Sequence, residues 1–393
     1  MGVRFLVVLG AQLEVLAVSW HVYALTGRPM ALAYVGLAQF VPIFCLALVT
    51  GSVADRFDRR RILFGSYALQ AAVGAGFCAL AASGSTSTSA LYTLAFLVGV
   101  LRSFANPAAS ALIASLVEAP ALPRAIAVSA TVWQAVMIAG LSAGGFLIAG
   151  FGVVWTFALA SVLPLVAAFV VLTLRPRESA RAPRAISWTS VLAGVRYVRE
   201  NRVVLGCISL DLFAVLLGGA TALLPIFARD LLKVDAWGYG LLRAAPGVGA
   251  VAVALWLGAY PLERHVGPKM LAAVAVFGLA TMVFGMSRTL WISIVALVVL
   301  GAADMVSVVV RQTLVQVLTP DEMRGRVGAV NQVFVGASNE LGEVESGAVA
   351  ALIGAGPAAI VGGLGTLLVV GTWALLFPQV RQVDRIALPK PAA

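Results

Sequence analysis

Gly51-Ser-Val-Ala-Asp55-Arg56-Phe-Asp58-Arg59-Arg60-Arg61 is the stretch on which the fold turns. Six of the seven residues from Asp55 to Arg61 are charged, and the stretch lies between two apolar runs, Ala31–Thr50 and Ile62–Ala82. About 20 apolar residues are enough for a helix to cross the hydrocarbon core of a bilayer. Each run therefore reads as a membrane span. A short, arginine-dense turn between two spans resists translocation, which marks this side as cytoplasmic.

Composition agrees. Of the 393 residues, 61% are hydrophobic and only 11% charged, against about 25% charged in a soluble domain. That leaves no polar coat for a water-soluble globule, so the chain reads as a polytopic membrane protein. The net charge of +10 does not call for a nucleic-acid partner. With the spans assigned below, 21 Lys and Arg residues, Arg311 among them, fall on the side of the opening loop and 4 on the other side, with Arg102 and Arg243 inside spans. This is the positive-inside bias, with attraction to anionic lipids as a consequence. The three cysteines lie in apolar segments without metal-ligand spacing, so neither a metal nor a cofactor is expected.

Hydropathy places twelve spans near 5–26, 31–50, 62–82, 89–112, 125–149, 152–174, 203–227, 238–259, 270–286, 289–310, 327–352 and 357–377. The expected fold is all-α, with two pseudo-symmetric six-helix bundles at 1–174 and 203–380. Between them lies a cytoplasmic linker, 175–202, and a cytoplasmic tail, 381–393, follows. Within the linker, Trp188, Val191, Leu192, Val195 and Val198 recur at helical spacing opposite Arg196 and Arg199. That pattern predicts an amphipathic helix lying on the cytoplasmic membrane face. The halves read as repeats: Leu116–Ser129 aligns with Leu318–Asn331 at an offset of 202, which sets Arg124 beside Arg326 and Arg102 beside Asp304. Duplicated halves are a common plan of secondary transporters.

Ionisable side chains inside a membrane are costly and mark function by default. Here they are Glu14, Arg102, Asp211, Arg243, Asp304 and the span-eleven group Glu340, Glu343 and Glu345, while spans three, six, nine and twelve contain none. That distribution predicts that every third span faces lipid and the rest line a central cavity. Glu14 and His21 sit seven residues apart on one face of span one, about 10 Å along the axis, and form a candidate proton path. Arg102 calls for an acidic partner, Glu14 or Asp304, since an unpaired buried guanidinium is untenable. In span eleven, Asn339, Glu340 and Glu343 are expected toward the cavity, with Glu345 nearer the outer mouth. Gly140, Gly144 and Gly145 in span five form a small-residue seam that lets helix backbones approach.

The Gly51–Arg61 stretch resembles the cytoplasmic loop 2–3 signature of the major facilitator superfamily, and the six-plus-six layout is similar to that family over the whole chain. Asp58 departs from the pattern, which usually has Gly there. The resemblance implies a gating lock in which Gly51, Asp55, Arg56 and Arg60 take part. Leu97-Val-Gly99 and Arg102 partly match the span-four arginine motif linked to proton coupling. The span-five seam resembles an exporter-associated glycine motif, with Leu141 in place of its proline. Leu25–Phe40, Phe213–Phe227 and Gly336–Gly347 look like the branch of siderophore and drug exporters.

Together these readings predict a proton-coupled exporter of small amphipathic organic molecules, such as drugs or siderophores. It is expected to act as a monomer in the bacterial inner membrane, with both termini cytoplasmic. The alternative within transporters is a uniporter or lipid-type flippase without coupling. A non-transporting membrane sensor is the alternative outside that class. An enzyme is not expected: there is no HExxH, no phosphate loop and only two histidines.

Overall fold

The structure, a computed structural model, describes residues 2–116, 122–174, 188–260, 262 and 264–384. The described residues contain helices and no strand. In chain order the helices are α1 (Gly2–Thr26), α2 (Pro29–Arg56), α3 (Arg59–Ala82), α4 (Thr88–Leu116), α5 (Leu122–Thr173), α6 (Trp188–Glu200) and α7 (Arg202–Leu217). After a 3-10 turn at Ala220–Leu223 come α8 (Leu224–Ile226) and a π-turn at Phe227–Leu231. The series closes with α9 (Ala236–Ala259), α10 (Val266–Met286), α11 (Leu290–Leu318), α12 (Asp321–Ile353), α13 (Ala355–Leu376) and α14 (Pro378–Arg381). Ten segments among the described residues are long and apolar enough to cross a bilayer. The eleventh and twelfth crossings are the first arm of α5 and the charged α12, whose Asp, Glu and Arg residues lower its mean hydropathy.

The duplication shows in the helix bounds. α4 begins at Thr88 and ends at Leu116, and α11 begins at Leu290 and ends at Leu318, an offset of 202 at both ends. The same offset joins two glycines. Gly152 (φ 86°) breaks α5 into two arms, and Gly354 (φ 88°) separates α12 from α13. Both take a left-handed turn that an L side chain rarely adopts, so each half makes its last reversal on a residue without a Cβ.

By proximity the chain divides into two compact units, 1–186 with 234–244, and 187–233 with 245–393. In the first, α1 and α3 pack on α5, and α2 packs on α4. In the second, α10 packs on α11 and α13, and α7 packs on α12 and α13. Segment 234–244 clusters with the first unit, and linker helix α6 with the second.

Three expectations need correction. The opening stretch is mostly helix: α2 continues through Arg56, only Phe57 and Asp58 connect it to α3, and Asp58 caps α3 by accepting from the Arg60 amide at 2.9 Å. A capped start lets the helices extend beyond the hydrocarbon. Span seven is broken: α7 stops at Leu217 before Gly218-Gly219, and Pro225 follows. A glycine pair and a proline both disfavour a continued helix. Finally, α6 does not present its described apolar side to lipid. Val198 is buried in a cluster with Val204, Ile208, Val327 and Val330, and the Tyr197 hydroxyl donates to the Leu318 carbonyl. The side chains of Trp188, Val191 and Leu192 lie outside the described residues.

Candidate functional site

In the first unit Glu14 projects from the middle of α1 and is 3% exposed. Its carboxylate stands 3.9 Å from the Arg102 guanidinium of α4. Arg102 Nη1 donates to Gln39 Oε1 of α2 at 3.0 Å. The approach of α2 to α4 depends on Gly99, one turn before Arg102, where a Cβ would collide with the Gln39 carbonyl oxygen. Of the two expected partners for Arg102, the fold supplies Glu14; Asp304 belongs to a cluster in the second unit. His21 does not join Glu14. Its ring meets Phe157 edge-on at 6.1 Å, and its Nε2 is buried without a hydrogen-bond partner among the described residues.

The second unit holds a deeper cluster. Arg311 of α11, 3% exposed, pairs through Nη2 with Asp211 Oδ1 of α7 at 3.2 Å, and its Nη1 donates to Asn331 Oδ1 of α12 at 3.0 Å. Asp304, two turns earlier on α11, lines one small cavity with Asp211, Ser307, Val274 and Phe277. It lies within electrostatic reach of both Asp211 and Arg311. Both units therefore place an acid of the first helix beside an arginine of the fourth, α1 with α4 and α7 with α11.

Arg311, Asn331 and Gln39 escaped the sequence reading. Arg311 was assigned to the cytoplasmic side because span ten was ended at residue 310, whereas α11 continues to Leu318. Without it, twenty positive residues remain on that side against four. The missed signal was the spacing of Asp304 and Arg311, seven residues apart on one helix face.

On α12, Asn331 is engaged by Arg311, Ser338 is fully buried, Asn339 is exposed, and Glu343 and Glu345 are half-buried. The side chain of Glu340 lies outside the described residues, as do those of Asp55 and Arg56 and the surroundings of Gly51, all three on the last turns of α2. Arg60 is described: Nη1 donates to the Leu174 carbonyl at 3.1 Å, tying the start of α3 to the end of α5. Burial works against the Asp58 charge, but hydrogen bonds from the Arg60 amide and guanidinium, with Arg61 nearby, hold its carboxyl below the usual range. The glycine seam is a packing surface. A Cβ on Gly140 would meet Gln12 at 2.8 Å, one on Gly144 would meet Leu16 at 2.7 Å, and one on Gly145 would collide with Gly240.

Known proteins share this layout. The family described as transmembrane secretion effector matches residues 4–391. The chain belongs to the major facilitator superfamily. It is similar to the enterobactin exporter EntS of Citrobacter koseri, 26% identical over 364 residues, which cover 92% of this chain and 85% of the relative. The Escherichia coli EntS is 27% identical over 349 residues, 88% of this chain and 82% of the relative. Among solved structures, the fold resembles a bacterial homologue of the human lysosomal transporter Spinster, inward-facing and unoccupied. That likeness has a TM-score of 0.73 at 14% identity and covers 99% of each chain. The nucleoside transporter NupG matches with a TM-score of 0.70 at 11% identity, over 95% of this chain and 97% of its own. The chain is thus an integral membrane transporter, and the two acid–arginine clusters are the charged sites inside its bundles.

Proposed function

We propose that this protein is a proton-driven exporter of small amphipathic organic molecules, of the catecholate siderophore kind, acting by alternating access in the bacterial inner membrane. The observation that carries the reading is the pairing, in both repeats, of a buried acid of the first helix with an arginine of the fourth, Glu14 with Arg102 and Asp211 with Arg311. Ion pairs removed from water persist only where the geometry repays their desolvation. A substrate or a proton that competes for one partner changes that balance, and with it the packing of the helices that carry the pair. The similarity to enterobactin exporters over about nine-tenths of the chain supports both the direction and the substrate class.

In this reading the N-terminal bundle, the linker and the C-terminal bundle form one monomeric transporter with both termini in the cytoplasm. The helix ends around Asp55, Arg56 and Arg60 make and break a charge lock during turnover. Arg60 already anchors α3 to the Leu174 carbonyl, which supports a mechanical role for that corner.

The test is transport by proteoliposomes containing the full-length protein. An inward-directed pH gradient is expected to drive enterobactin out of the compartment corresponding to the cytoplasm, against its own gradient. Enterobactin that merely equilibrates, at a rate indifferent to the gradient, would identify a uniporter and overturn the coupling.

A further inference from the structure

We propose that Asp304 is a one-proton binding site, whose carboxyl holds the proton while Arg311 is paired with Asp211. The role of this site in transport rests on the exporter reading; its existence does not.

Charge counting is the first ground. In the first unit one carboxylate, Glu14, faces one guanidinium, Arg102. In the second unit Asp211 and Asp304 share one guanidinium, Arg311. Among the described residues Arg311 is the cation in electrostatic reach of both carboxylates. From α7 the cluster meets Asp211 and the thiol of Cys207, and from α12 it meets the neutral Asn331. The charges of α12 itself are Asp321, Glu322, Arg324 and Arg326 before Asn331 and Glu340, Glu343 and Glu345 after it. α11 carries no charged residue beyond Asp304 and Arg311, α9 carries Arg243, α10 carries only Lys269, in its first turn, and α13 has none.

Space is the second ground. The cavity lined by Asp304 and Asp211 encloses about 10 Å³, room for roughly one water molecule. Its other walls include Ala214, Val215, Val274, Phe277 and Ala303. A hydrated metal cation does not fit such a space, and an uncompensated carboxylate in apolar surroundings takes a proton rather than keep its charge.

Hydrogen bonding is the third ground. Arg311 has committed Nη2 to Asp211 and Nη1 to Asn331, while its Nε is buried without a partner among the described residues. Asp304 has no hydrogen bond or ion pair of its own among the described residues, and it is more exposed than Asp211. Asp304 can therefore take up a proton without giving up a described contact. Loading transfers one proton from a hydronium ion to an Asp304 carboxylate oxygen: one O–H bond forms, the hydronium's breaks, and water is left. Release leaves a carboxylate facing a guanidinium whose Nε has no partner among the described residues, so the guanidinium is drawn away from Asp211 and Asn331. Those two contacts tie α11 to α7 and α12, and this is how one proton would loosen helix packing.

Infrared difference spectra of the full-length protein in proteoliposomes, recorded across a pH step without substrate, test the site. The wild type is expected to show a protonated-carboxyl stretch that bleaches as pH rises. Asp304→Asn is expected to lose that band while eluting and melting as a folded protein. Asp304→Glu, which retains an acid, is expected to regain it at a shifted midpoint. A band unchanged in both variants would overturn the proposal, and so would transport driven by sodium with no response to pH. If the band behaves as expected while no pH gradient drives enterobactin, the site stands and the exporter reading falls. If the gradient still drives enterobactin in Asp304→Asn, the reading stands and the site's role in transport falls.

Discussion

The two bundles share their helices but not their charges. α4 and α11 have the same length and sit 202 residues apart, yet the arginine of α11 lies seven residues farther along than repeat symmetry would put it, where Asp304 stands in its place. That is about two turns, or 10 Å along the axis. Arg102 is 23% exposed in its side chain and meets Glu14 loosely at 3.9 Å, whereas Arg311 is 3% exposed and meets Asp211 at 3.2 Å. The first pair balances one carboxylate with one guanidinium and leaves the arginine partly exposed. The second cluster is enclosed and carries one carboxylate too many. A duplicated scaffold has thus been supplied with two different kinds of chemistry.

Removing each arginine is the most forceful way to break this comparison. Arg311→Leu leaves the buried Asp211 carboxylate, with Asp304 beside it, without a counter-charge, and truncating one partner of a buried pair costs about 3–5 kcal/mol. Arg102→Leu strands one carboxylate beside a partly exposed position, so its cost is expected to be smaller. Thermal unfolding of the purified proteins in detergent measures both. Equal losses would mean that the two sites do not differ in depth. Combining Arg311→Leu with Asp211→Asn and Asp304→Asn is expected to recover most of the lost stability, because no buried charge then remains unpaired.

Equal sensitivity is expected where the repeats are alike. Gly99 lets α4 approach the Gln39 carbonyl of α2, and Gly301, at the same offset of 202, lets α11 approach the Pro246 carbonyl of α9. Added methyl groups would strike backbone atoms, which yield less readily than side chains, so Gly99→Ala and Gly301→Ala should each cost about 1–3 kcal/mol. Thermal unfolding again provides the measurement. A large loss from one and none from the other would show that the matching glycines serve different purposes.

This contrast also explains what the sequence could reveal. The spans were legible because long apolar runs have one stable solution in a bilayer. The duplication was legible because Arg124 and Arg326 keep their spacing in the repeated segments. Glu14, Arg102, Asp211 and Asp304 stood out as charges in apolar surroundings. Arg311 was hidden because hydropathy falls before α11 ends, and a charge near a boundary reads as interfacial. Gln39 and Asn331 were hidden because a neutral amide in a span has no signature until the fold shows whom it serves. The break in span seven was masked by the apolar character of Gly218 to Phe227, although the glycine pair and Pro225 were its visible trace. The charges of the opening stretch did not reveal that most of it is helix.

The smallest expected effect concerns the helix corners, where the halves solve one problem with different groups. In the first half Asp58 caps α3, and Arg60 reaches the Leu174 carbonyl at the end of α5. In the second half the amides of Val266 and Gly267 donate to the carbonyls of Asp384 and Val383, beyond α13, and His265 Nε2 stands 3.7 Å from Asp384 Oδ1. The first corner depends on side chains and the second mainly on backbone. Asp58→Ala is therefore expected to cost about 1 kcal/mol, the usual value of an N-cap, while Asp384→Ala removes the hydrogen bond from the His265 amide to Oδ1 but keeps the two backbone bonds at that corner, and should cost less. The Asp58 carboxyl is held below its usual range, so its contribution is present above the unfolded carboxyl value of about 4 and fades as pH falls through the folded value. Asp58→Asn retains an acceptor for the Arg60 amide but cannot titrate. Its thermal stability should respond less than the wild type's to acidification below about pH 4, and an identical acid response in the two proteins would show that the cap works without its charge.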